Sequence, residues 1–401
     1  MNSKGFSIYI HIPFCRERCH YCDFLTAPLP TGGVDDDFID LICTEIKLWG
    51  ERIAFKNVET IYFGGGTPSL CSPGQIDRII QTISSLFSIK ELSEITMEAN
   101  PADLDSEKCR GFVRAGINRI SIGGQSSKNE MLNLMGRYHT HDQTELAVEF
   151  ARSGGFENIS LDLIYGMPDQ RIDKIARDLE KFISLDTDHF SCYQLTVSRN
   201  HPWKRVLPGE PELNDFDLFI QEYLEGFGYE RYEVSNYCRG GKRSRHNLVY
   251  WSWKPYLAIG PGAHGFFPDV KPFGERYRNI GSLKNYSGSI VSGMLPRHEP
   301  HRLSKDEAVL EYLMTHLRSV SGFSLDSYSE VFGEEFTDFV DQKIFSKVIE
   351  EGLVDLKNGV ISPTRKGLLL GEEIAWKMCN NGRRCAYPKC QDKIFMNLRA
   401  I

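Results

Sequence analysis

The chain of 401 residues lacks a long apolar run: no stretch approaches the ~18–20 residues that a membrane-spanning helix needs. Its N-terminus also lacks the apolar core and small-residue cleavage site of a secretory signal peptide. We therefore expect a cytoplasmic protein with at most peripheral contact with a membrane. No low-complexity tract interrupts the sequence, and no repeat is evident beyond a strand–helix alternation.

An excess of basic charge is absent as well, since the formal net charge is −7. Composition therefore gives no argument for nucleic-acid binding. Cysteine, in contrast, is plentiful, with 11 residues. In a cytoplasmic chain these are expected to be metal ligands or reduced thiols and not disulfides.

Strand-like and helix-like segments alternate through the first half of the chain. Such β–α repeats imply a parallel sheet with right-handed crossovers, either open or closed into a barrel. Unusual residues gather at the C-terminal ends of the strands, as they do at barrel active sites, so we predict an α/β fold with a full or partial barrel and not an open sheet. The predicted strands are Ser7–Ile12, Glu59–Phe63, Glu94–Glu98, Arg119–Ile122, Asn158–Ile164 and His189–Val197.

The pattern changes near residue 300. Ser304, with Glu307 three residues on, predicts the start of an amphipathic helix, and a short hairpin is expected further along. We predict a core barrel with its extension over residues 1–299 and a small, mainly helical domain over residues 300–378.

Residues 379–401 are predicted to form an accessory tail. It contains Cys379, Cys385 and Cys390, whose spacing fits no standard metal pattern. The alternative is an extra metal or heme contact.

Three cysteines, Cys15, Cys19 and Cys22, fall within eight residues. Thiolates suit iron–sulfur clusters or zinc. A cubane electron-transfer cluster normally takes four cysteines, so three would leave one iron open to chelate the amino and carboxylate groups of S-adenosylmethionine. The alternative is a zinc site with His20 as fourth ligand. The glycine run 64–66 directly after a strand favours the cluster, because glycines let the backbone approach a ligand closely.

Longer motifs resemble one branch of the radical S-adenosylmethionine (SAM) family, which contains oxygen-independent coproporphyrinogen III oxidase and the heme chaperone HemW. The resemblance covers roughly residues 7–370 and includes YIHIPFCxxxCxYCDF, GGGTPSL, MEANP, RISIGGQS, MGRYH, DLIYGMP, YEVSN, HNLVYW and GPGAH. The oxidase has a longer N-terminal segment and a fourth cysteine two residues past the third. Here Cys22 is followed by Asp23 and Phe24, which is similar to the chaperone.

This resemblance implies a partial (β/α)6 barrel, a 4Fe–4S cluster on the three cysteines and a bound S-adenosylmethionine. The residues that match the binding positions of one S-adenosylmethionine are Tyr9, Tyr21, Gly65 and Glu98, and those around a second one in the oxidase are Gly66, Thr67, Gln125, Arg137 and Asp162. Arg137 could pair a carboxylate bidentately. The alternative for Arg137 is an internal salt bridge with Asp162.

HNLVYW is similar to a motif implicated in heme binding in the chaperone branch. Imidazole is a standard axial ligand of heme iron, which makes His246 a candidate. The alternative is a histidine that is only hydrogen-bonded within the structure. His264 is a second candidate.

The resemblance thus implies a heme chaperone that passes heme to acceptor hemoproteins, forms a homodimer by analogy and has no coproporphyrinogen oxidase activity. No residue is assigned a catalytic role. The rivals are oxidative decarboxylation of coproporphyrinogen III and another radical reaction, such as methylation, on a small molecule.

One departure from the family is Ser198–Trp203 (SRNHPW), which replaces a common proline–glycine–threonine–proline turn and is expected to reshape the loop after the sixth strand.

Overall fold

A computed structural model describes residues 5–379. Its strands are short and lie mostly in the first three quarters of the chain. In chain order they are β1 Phe6–Ile12, β2 Phe14–Cys15, β3 Ala27–Pro28, β4 Asn57–Gly65, β5 Ser88–Ala99, β6 Arg119–Gln125, β7 Ile159–Tyr165, β8 His189–Gln194, β9 Glu230–Arg231, β10 Asn236–Cys238, β11 Tyr256–Ile259, β12 His264–Phe267, β13 Glu275–Arg278, β14 His301–Arg302, β15 Phe323–Ser324, β16 Val354–Lys357 and β17 Val360–Pro363.

Helices connect the parallel strands and make up most of the C-terminal part. They are α1 Asp36–Gly50, α2 Pro73–Leu86, α3 Ser106–Arg114, α4 Asn129–Leu134, α5 His141–Gly154, α6 Ile172–Ile183, α7 Glu210–Gly226, α8 Arg245–Trp251, α9 Leu283–Val291, α10 Lys305–His316, α11 Leu325–Phe332, α12 Phe336–Phe339, α13 Gln342–Glu350, α14 Arg365–Leu368 and α15 Gly371–Cys379. Short 3-10 helices cover Pro68–Leu70, Pro101–Asp103 and Pro202–Arg205.

One sheet of 12 strands organises the molecule, in the order β14-β13-β12-β11-β1-β4-β5-β6-β7-β8-β10-β9. The strands from β11 to β8 pair in parallel, whereas the strands beyond them pair antiparallel. Within residues 5–379 the order has two ends, so the barrel is partial. The six predicted strands are β1, β4, β5, β6, β7 and β8, and the predicted fold class is confirmed.

A seventh parallel strand, β11, was not predicted. It pairs with the other side of β1, and its four residues are all buried. A run this short without polar alternation gives no strand period, so the sequence did not indicate this strand.

The helices α2 and α10 each begin with a reciprocal capping pair. The hydroxyl of Ser72 accepts from the backbone of Gln75, whose side chain accepts from the Ser72 amide. Ser304 and Glu307 form the same reciprocal pair ahead of α10. Each pair satisfies amide groups that a helix end leaves without partners.

The helix α10 differs from the amphipathic helix that the sequence predicts. Every residue from Ala308 to His316 is buried. Among them, Glu311 accepts from the guanidinium of Arg276 at 2.5 Å. Because α10 packs between α8 and α15, its polar side chains meet buried partners instead of water. The periodicity of residues within α10 could not predict that its polar side chains are buried.

The outward side chains of the parallel strands are apolar and form the main core with α1, α2, α3, α5, α6 and α7. The inward side chains are polar or aromatic, although barrel interiors are usually filled by branched apolar residues. The interior is therefore suited to a polar ligand. Inward-facing residues include Ser7, Tyr9, Thr60, Tyr62, Glu98, Ser121 and Asp162.

A second hydrophobic core lies in the C-terminal part and includes Trp251 and Tyr256 from before residue 299. The predicted domain boundaries stay a prediction. Of the tail cysteines, Cys379 ends α15, and Cys385 and Cys390 lie outside the described residues. Across residues 5–379, no helix has both the length and the apolar character to span a membrane.

Candidate functional site

The three predicted cluster cysteines lie on one loop at the C-terminal edge of the sheet. Cys15 ends β2, and the amide of Cys22 donates to the carbonyl of Cys19 at 3.2 Å. All three are half-buried. The hydroxyl of Thr67 donates to Sγ of Cys15 at 3.6 Å, and Nη1 of Arg137 donates to Sγ of Cys19 at 3.6 Å. The donor set is three thiols flanked by a hydroxyl and a guanidinium.

Burial changes the pKa of two of these thiols, Cys15 and Cys22. It raises the pKa of Cys15 above its ordinary value and raises the pKa of Cys22 to about 11. The nearby guanidinium of Arg137 acts in the opposite direction on the pKa of Cys15. The metal-free protein therefore keeps Cys22 as a thiol at neutral pH, and metal binding releases protons.

His20 is not placed to complete a zinc site. Its Nδ1 donates to the carbonyl of Leu134 at 2.9 Å. Within residues 5–379, no three Cys, His, Asp or Glu side chains converge where one metal ion could bind. A cubane cluster takes each thiolate at a different iron and needs no such convergence. The donor set therefore fits a three-cysteine cluster better than zinc.

Gly65 and Gly66 bring the end of β4 against the cluster loop. Gly65 has a φ of +109°, and a Cβ there would lie 2.4 Å from the ring of His11. A Cβ on Gly66 would lie 2.7 Å from the carbonyl oxygen of Phe14. The amide of Gly66 donates to the carbonyl of Ile12 at 2.8 Å. Only glycine fits at both positions, and this explains the glycine run.

The carboxylate of Glu98, on the neighbouring strand β5, is held by two donors. Tyr62 Oη donates to Oε1 at 2.8 Å, and the amide of Gly65 donates to Oε2 at 3.1 Å. Burial, and then the nearby carboxyl of Asp162, raise the pKa of Glu98 to about 7. A cationic ligand would favour the ionised form, so Glu98 is suited to accept hydrogen bonds from such a ligand.

Gln125 and Arg137 lie at the end of β6. A bulge interrupts β6, and Gln125 has a φ of +64°. The Oε1 atom of Gln125 is buried without a hydrogen-bond partner. Nη2 of Arg137 donates to the carbonyl of Gly123 at 2.8 Å, which fixes the guanidinium. An unpartnered buried oxygen beside a fixed guanidinium is an arrangement that a polar ligand would satisfy.

Asp162 lies in the barrel interior, where the hydroxyl of Ser121 donates to its Oδ1 at 3.0 Å. Burial raises the pKa of Asp162. Arg137 donates to Cys19, Gly123 and His139. In the described residues, therefore, the salt bridge between Arg137 and Asp162 that the sequence left open is not formed.

Of two further predicted residues, Tyr21 belongs to the cluster loop and Tyr9 lies on β1. Tyr21 packs against a small apolar cluster that contains Met135 and Met167. Tyr9 stacks on Tyr62, with ring centroids 6.2 Å apart. The structure thus gathers the cysteines, the glycines and most of the predicted S-adenosylmethionine residues at one end of the barrel.

His246 lies at the opposite end, fully buried on α8. The hydroxyl of Thr60 donates to Ser7, so Nδ1 of His246 donates to Thr60, at 2.6 Å. Its Nε2 accepts from the hydroxyl of Tyr250 at 2.8 Å. Burial lowers the pKa of His246 to about 3. At about 3.3 Å per residue, Thr60 lies about 16 Å before Gly65 along β4, so His246 is not brought to the cysteines.

His264 follows a turn that approaches the segment after the last cluster cysteine. It starts β12, where it pairs with Arg278, and residues 260–263 separate it from the end of β11. A Cβ on the neighbouring Gly262 would lie 2.4 Å from the side chain of Leu25, just past the last cluster cysteine.

Sequence reasoning missed Tyr62 and the ion pair of Arg16. Tyr62 had a usable signal, because residues two apart in a strand share a face and Tyr62 precedes Gly64 by two. Nε of Arg16 donates to Asp103 at 2.8 Å, and Tyr138 donates to the same carboxylate at 2.7 Å. These contacts join distant segments, so no local pattern could indicate them.

Comparisons with known proteins identify the family and the fold of the chain. The sequence profile of the radical SAM superfamily matches residues 9–182, and that of the HemN C-terminal domain matches residues 303–370. The solved structure of coproporphyrinogen III oxidase (HemN) from Escherichia coli has the same fold, with a TM-score of 0.80 at 22% identity over 94% of this chain and 91% of that chain. The fold and the site define a radical SAM protein, a class that implies a 4Fe–4S cluster and S-adenosylmethionine.

Individual relatives show to which family within this class the chain belongs. The heme chaperone HemW of Bacillus subtilis is 32% identical over 92% of this chain and 97% of its own length. The heme chaperone HemW of Lactococcus lactis is 35% identical over 86% of this chain and 92% of its own length. A mitochondrial radical S-adenosyl methionine domain-containing protein 1 of Mus musculus is 36% identical over 79% of this chain and 74% of its own length. The chain belongs to the HemW family.

Proposed function

We propose that the protein is a heme chaperone that holds a 4Fe–4S cluster, binds S-adenosylmethionine beside it and passes heme to acceptor hemoproteins. The observation that carries the heme role is the similarity to proteins named heme chaperone HemW, which extends over 92% of this chain for the Bacillus relative. The observation that supports the cluster is the set of three thiols beside a glycine-lined strand end.

The cluster ligands are Cys15, Cys19 and Cys22. When bound, the cluster supplies an open iron for the amino and carboxylate groups of S-adenosylmethionine and an electron for its reductive chemistry. The chain's own residues bind and orient the nucleotide: Glu98 accepts hydrogen bonds and Arg137 pairs with a carboxylate. The full proposed S-adenosylmethionine set is Tyr9, Tyr21, Gly65, Gly66, Thr67, Glu98, Gln125, Arg137 and Asp162.

Heme requires an axial ligand, and His246 remains the first candidate. Its Nε2 lone pair accepts from Tyr250 Oη, so iron ligation requires that this hydroxyl leave. His264 is the second candidate, and the turn that precedes it approaches Leu25, three residues past the last cluster cysteine. A heme acceptor and a homodimer remain predictions.

The test is an anaerobic heme titration of the wild type, His246→Ala and His264→Ala, followed by visible spectroscopy. Loss of heme binding in one variant identifies that histidine as the axial ligand. Unchanged heme binding in both variants removes both histidines from the proposal. Tyr250→Phe is the matched control, because freeing Nε2 should strengthen binding through His246 and leave binding through His264 unchanged. Formation of protoporphyrinogen IX from coproporphyrinogen III by purified, cluster-loaded protein would overturn the chaperone in favour of the oxidase reaction.

A further inference from the structure

The segment that follows β8 is hydrogen-bonded to the cluster loop at His20. Nε2 of His201 donates to the carbonyl of His20 at 2.9 Å, and Nδ1 of His201 accepts from the amide of Trp203 at 3.1 Å. A single neutral tautomer makes both bonds, because a carbonyl only accepts and an amide N–H only donates. The ring of Trp203 packs edge-on against His20, with centroids 6.4 Å apart.

His20 is also held from the opposite side. Its amide donates to the carbonyl of Met135 at 2.9 Å, and its ring Nδ1 donates to the carbonyl of Leu134 at 2.9 Å. The amide, the ring and the carbonyl of this residue are therefore all bonded. Since His20 lies between Cys19 and Cys22, two separate segments fix the centre of the cluster loop.

Apolar packing adds to these bonds. The segment after β8 contributes to a small apolar cluster that is separate from the main core and includes Tyr21 of the cluster loop. The members of this cluster are Met135, Ile164, Met167, Leu195 and Val197, with Tyr21, Met131, Trp203 and Leu207 packed against them.

We propose that His201 and Trp203, here called the latch, are positioning residues that order the cluster loop through His20 before the metal binds. Ordering the loop in advance removes conformational entropy that cluster binding would otherwise have to offset. The proposal rests on the proposed cluster site. It concerns residues of the Ser198–Trp203 segment, where this sequence departs from the family pattern.

The test compares four variants of the full chain. His201→Leu removes the donor to His20, and His201→Gln keeps a donor at the same reach. Trp203→Ala removes the ring packing, and Lys204→Ala is the matched control because Lys204 is exposed on the same short helix. Two rates are measured: alkylation of Cys19 and Cys22 by iodoacetamide in the iron-free protein, and iron loss to a chelator from the reconstituted protein.

We expect His201→Leu to raise both rates about fivefold, the equivalent of about 1 kcal/mol, which is the net value of one hydrogen bond. Trp203→Ala should act in the same direction, whereas His201→Gln and Lys204→Ala should stay near the wild type. Wild-type rates in both His201→Leu and Trp203→Ala overturn the latch. If the wild type binds no iron but His201→Leu still speeds alkylation, the latch stands and the cluster proposal fails.

Hydrogen exchange of the wild type provides a test that needs no variant to fold. The amide of His20, bonded to Met135, should exchange at least tenfold more slowly than that of Glu17 in the same loop. Equal exchange at both amides contradicts the latch.

Discussion

The hydroxyl of Tyr62 donates a hydrogen bond of 2.8 Å to Oε1 of Glu98. The ring of Tyr62 lies between the rings of Tyr9, 6.2 Å away, and His246, 5.0 Å away, and is stacked on both. Side chains inside the barrel thus fix the carboxylate of Glu98 at the end of the barrel where we propose that S-adenosylmethionine binds. Tyr62 acts through Glu98 and is a positioning residue.

Tyr62→Phe should weaken S-adenosylmethionine binding to the cluster-loaded protein about tenfold. A hydrogen bond to a charged group contributes about 1.5–3 kcal/mol, and tenfold corresponds to about 1.4 kcal/mol. Equilibrium dialysis measures the dissociation constant. Tyr223→Phe, on the half-buried outer face of α7, is the control and should leave the constant unchanged. Equal affinities for wild type and Tyr62→Phe would contradict the positioning role.

The affinity for S-adenosylmethionine should depend on pH through Glu98, whose pKa burial raises to about 7. A cationic ligand stabilises the carboxylate and lowers this pKa in the complex. The affinity should therefore rise as the pH rises towards 7 and level off above it. Glu98→Gln should bind S-adenosylmethionine more weakly and lose the pH dependence that Glu98 causes. Any pH dependence that remains in this variant comes from titration of the ligand and can be subtracted. Calorimetric titrations at pH values on both sides of 7 measure the effect, and identical pH profiles would rule it out.

Asp178 on α6 holds the turn that follows Gln125. It accepts from the amide of Ser127 at 2.7 Å, from its hydroxyl at 2.6 Å and from the hydroxyl of Ser126 at 3.1 Å. Asp178→Ala leaves these buried donors without partners and should lower the free energy of unfolding by roughly 2–4 kcal/mol. Urea denaturation measures this value. Asp173→Ala, at an exposed site on the same helix, should change it by less than about 0.5 kcal/mol.

The buried ion pair of Arg276 and Glu311 joins β13 to α10 at 2.5 Å. Arg276→Met leaves a buried carboxylate unpaired and should lower the free energy of unfolding by about 3–5 kcal/mol. The double variant Arg276→Met, Glu311→Leu should recover most of this loss, because no buried charge is then left unpaired. Chemical denaturation of the single and double variants provides the comparison. Equal losses in both would show that the ion pair is not the cause.

Local patterns predicted the parts of the fold that depend on nearby residues. The strand-forming residues of β1 and β4 and the reciprocal cap of Ser304 each lie within a few positions, and the structure contains them. The short strands β11 to β14 were missed, since their stability comes from partners such as β1 and not from their own sequence. The burial of α10 was missed for the same reason.

The candidate site likewise has features that the sequence predicts and features that it does not. The cysteines and glycines form compact motifs that can be read directly from the sequence. The bond from His201 to His20, in contrast, joins positions 181 residues apart, and the bond from Tyr62 to Glu98 joins positions 36 apart. The sequence contains these residues but not their pairing, because the pairing depends on the order of strands in the sheet.

The central claim is that Cys15, Cys19 and Cys22 hold a cluster with one iron open to S-adenosylmethionine. Electron paramagnetic resonance of the anaerobically reconstituted and reduced protein, with and without S-adenosylmethionine, tests this most directly. We predict a 4Fe–4S signal that changes when S-adenosylmethionine is added and is absent from Cys19→Ala. Zinc in place of iron, or a signal that S-adenosylmethionine leaves unchanged, would contradict it.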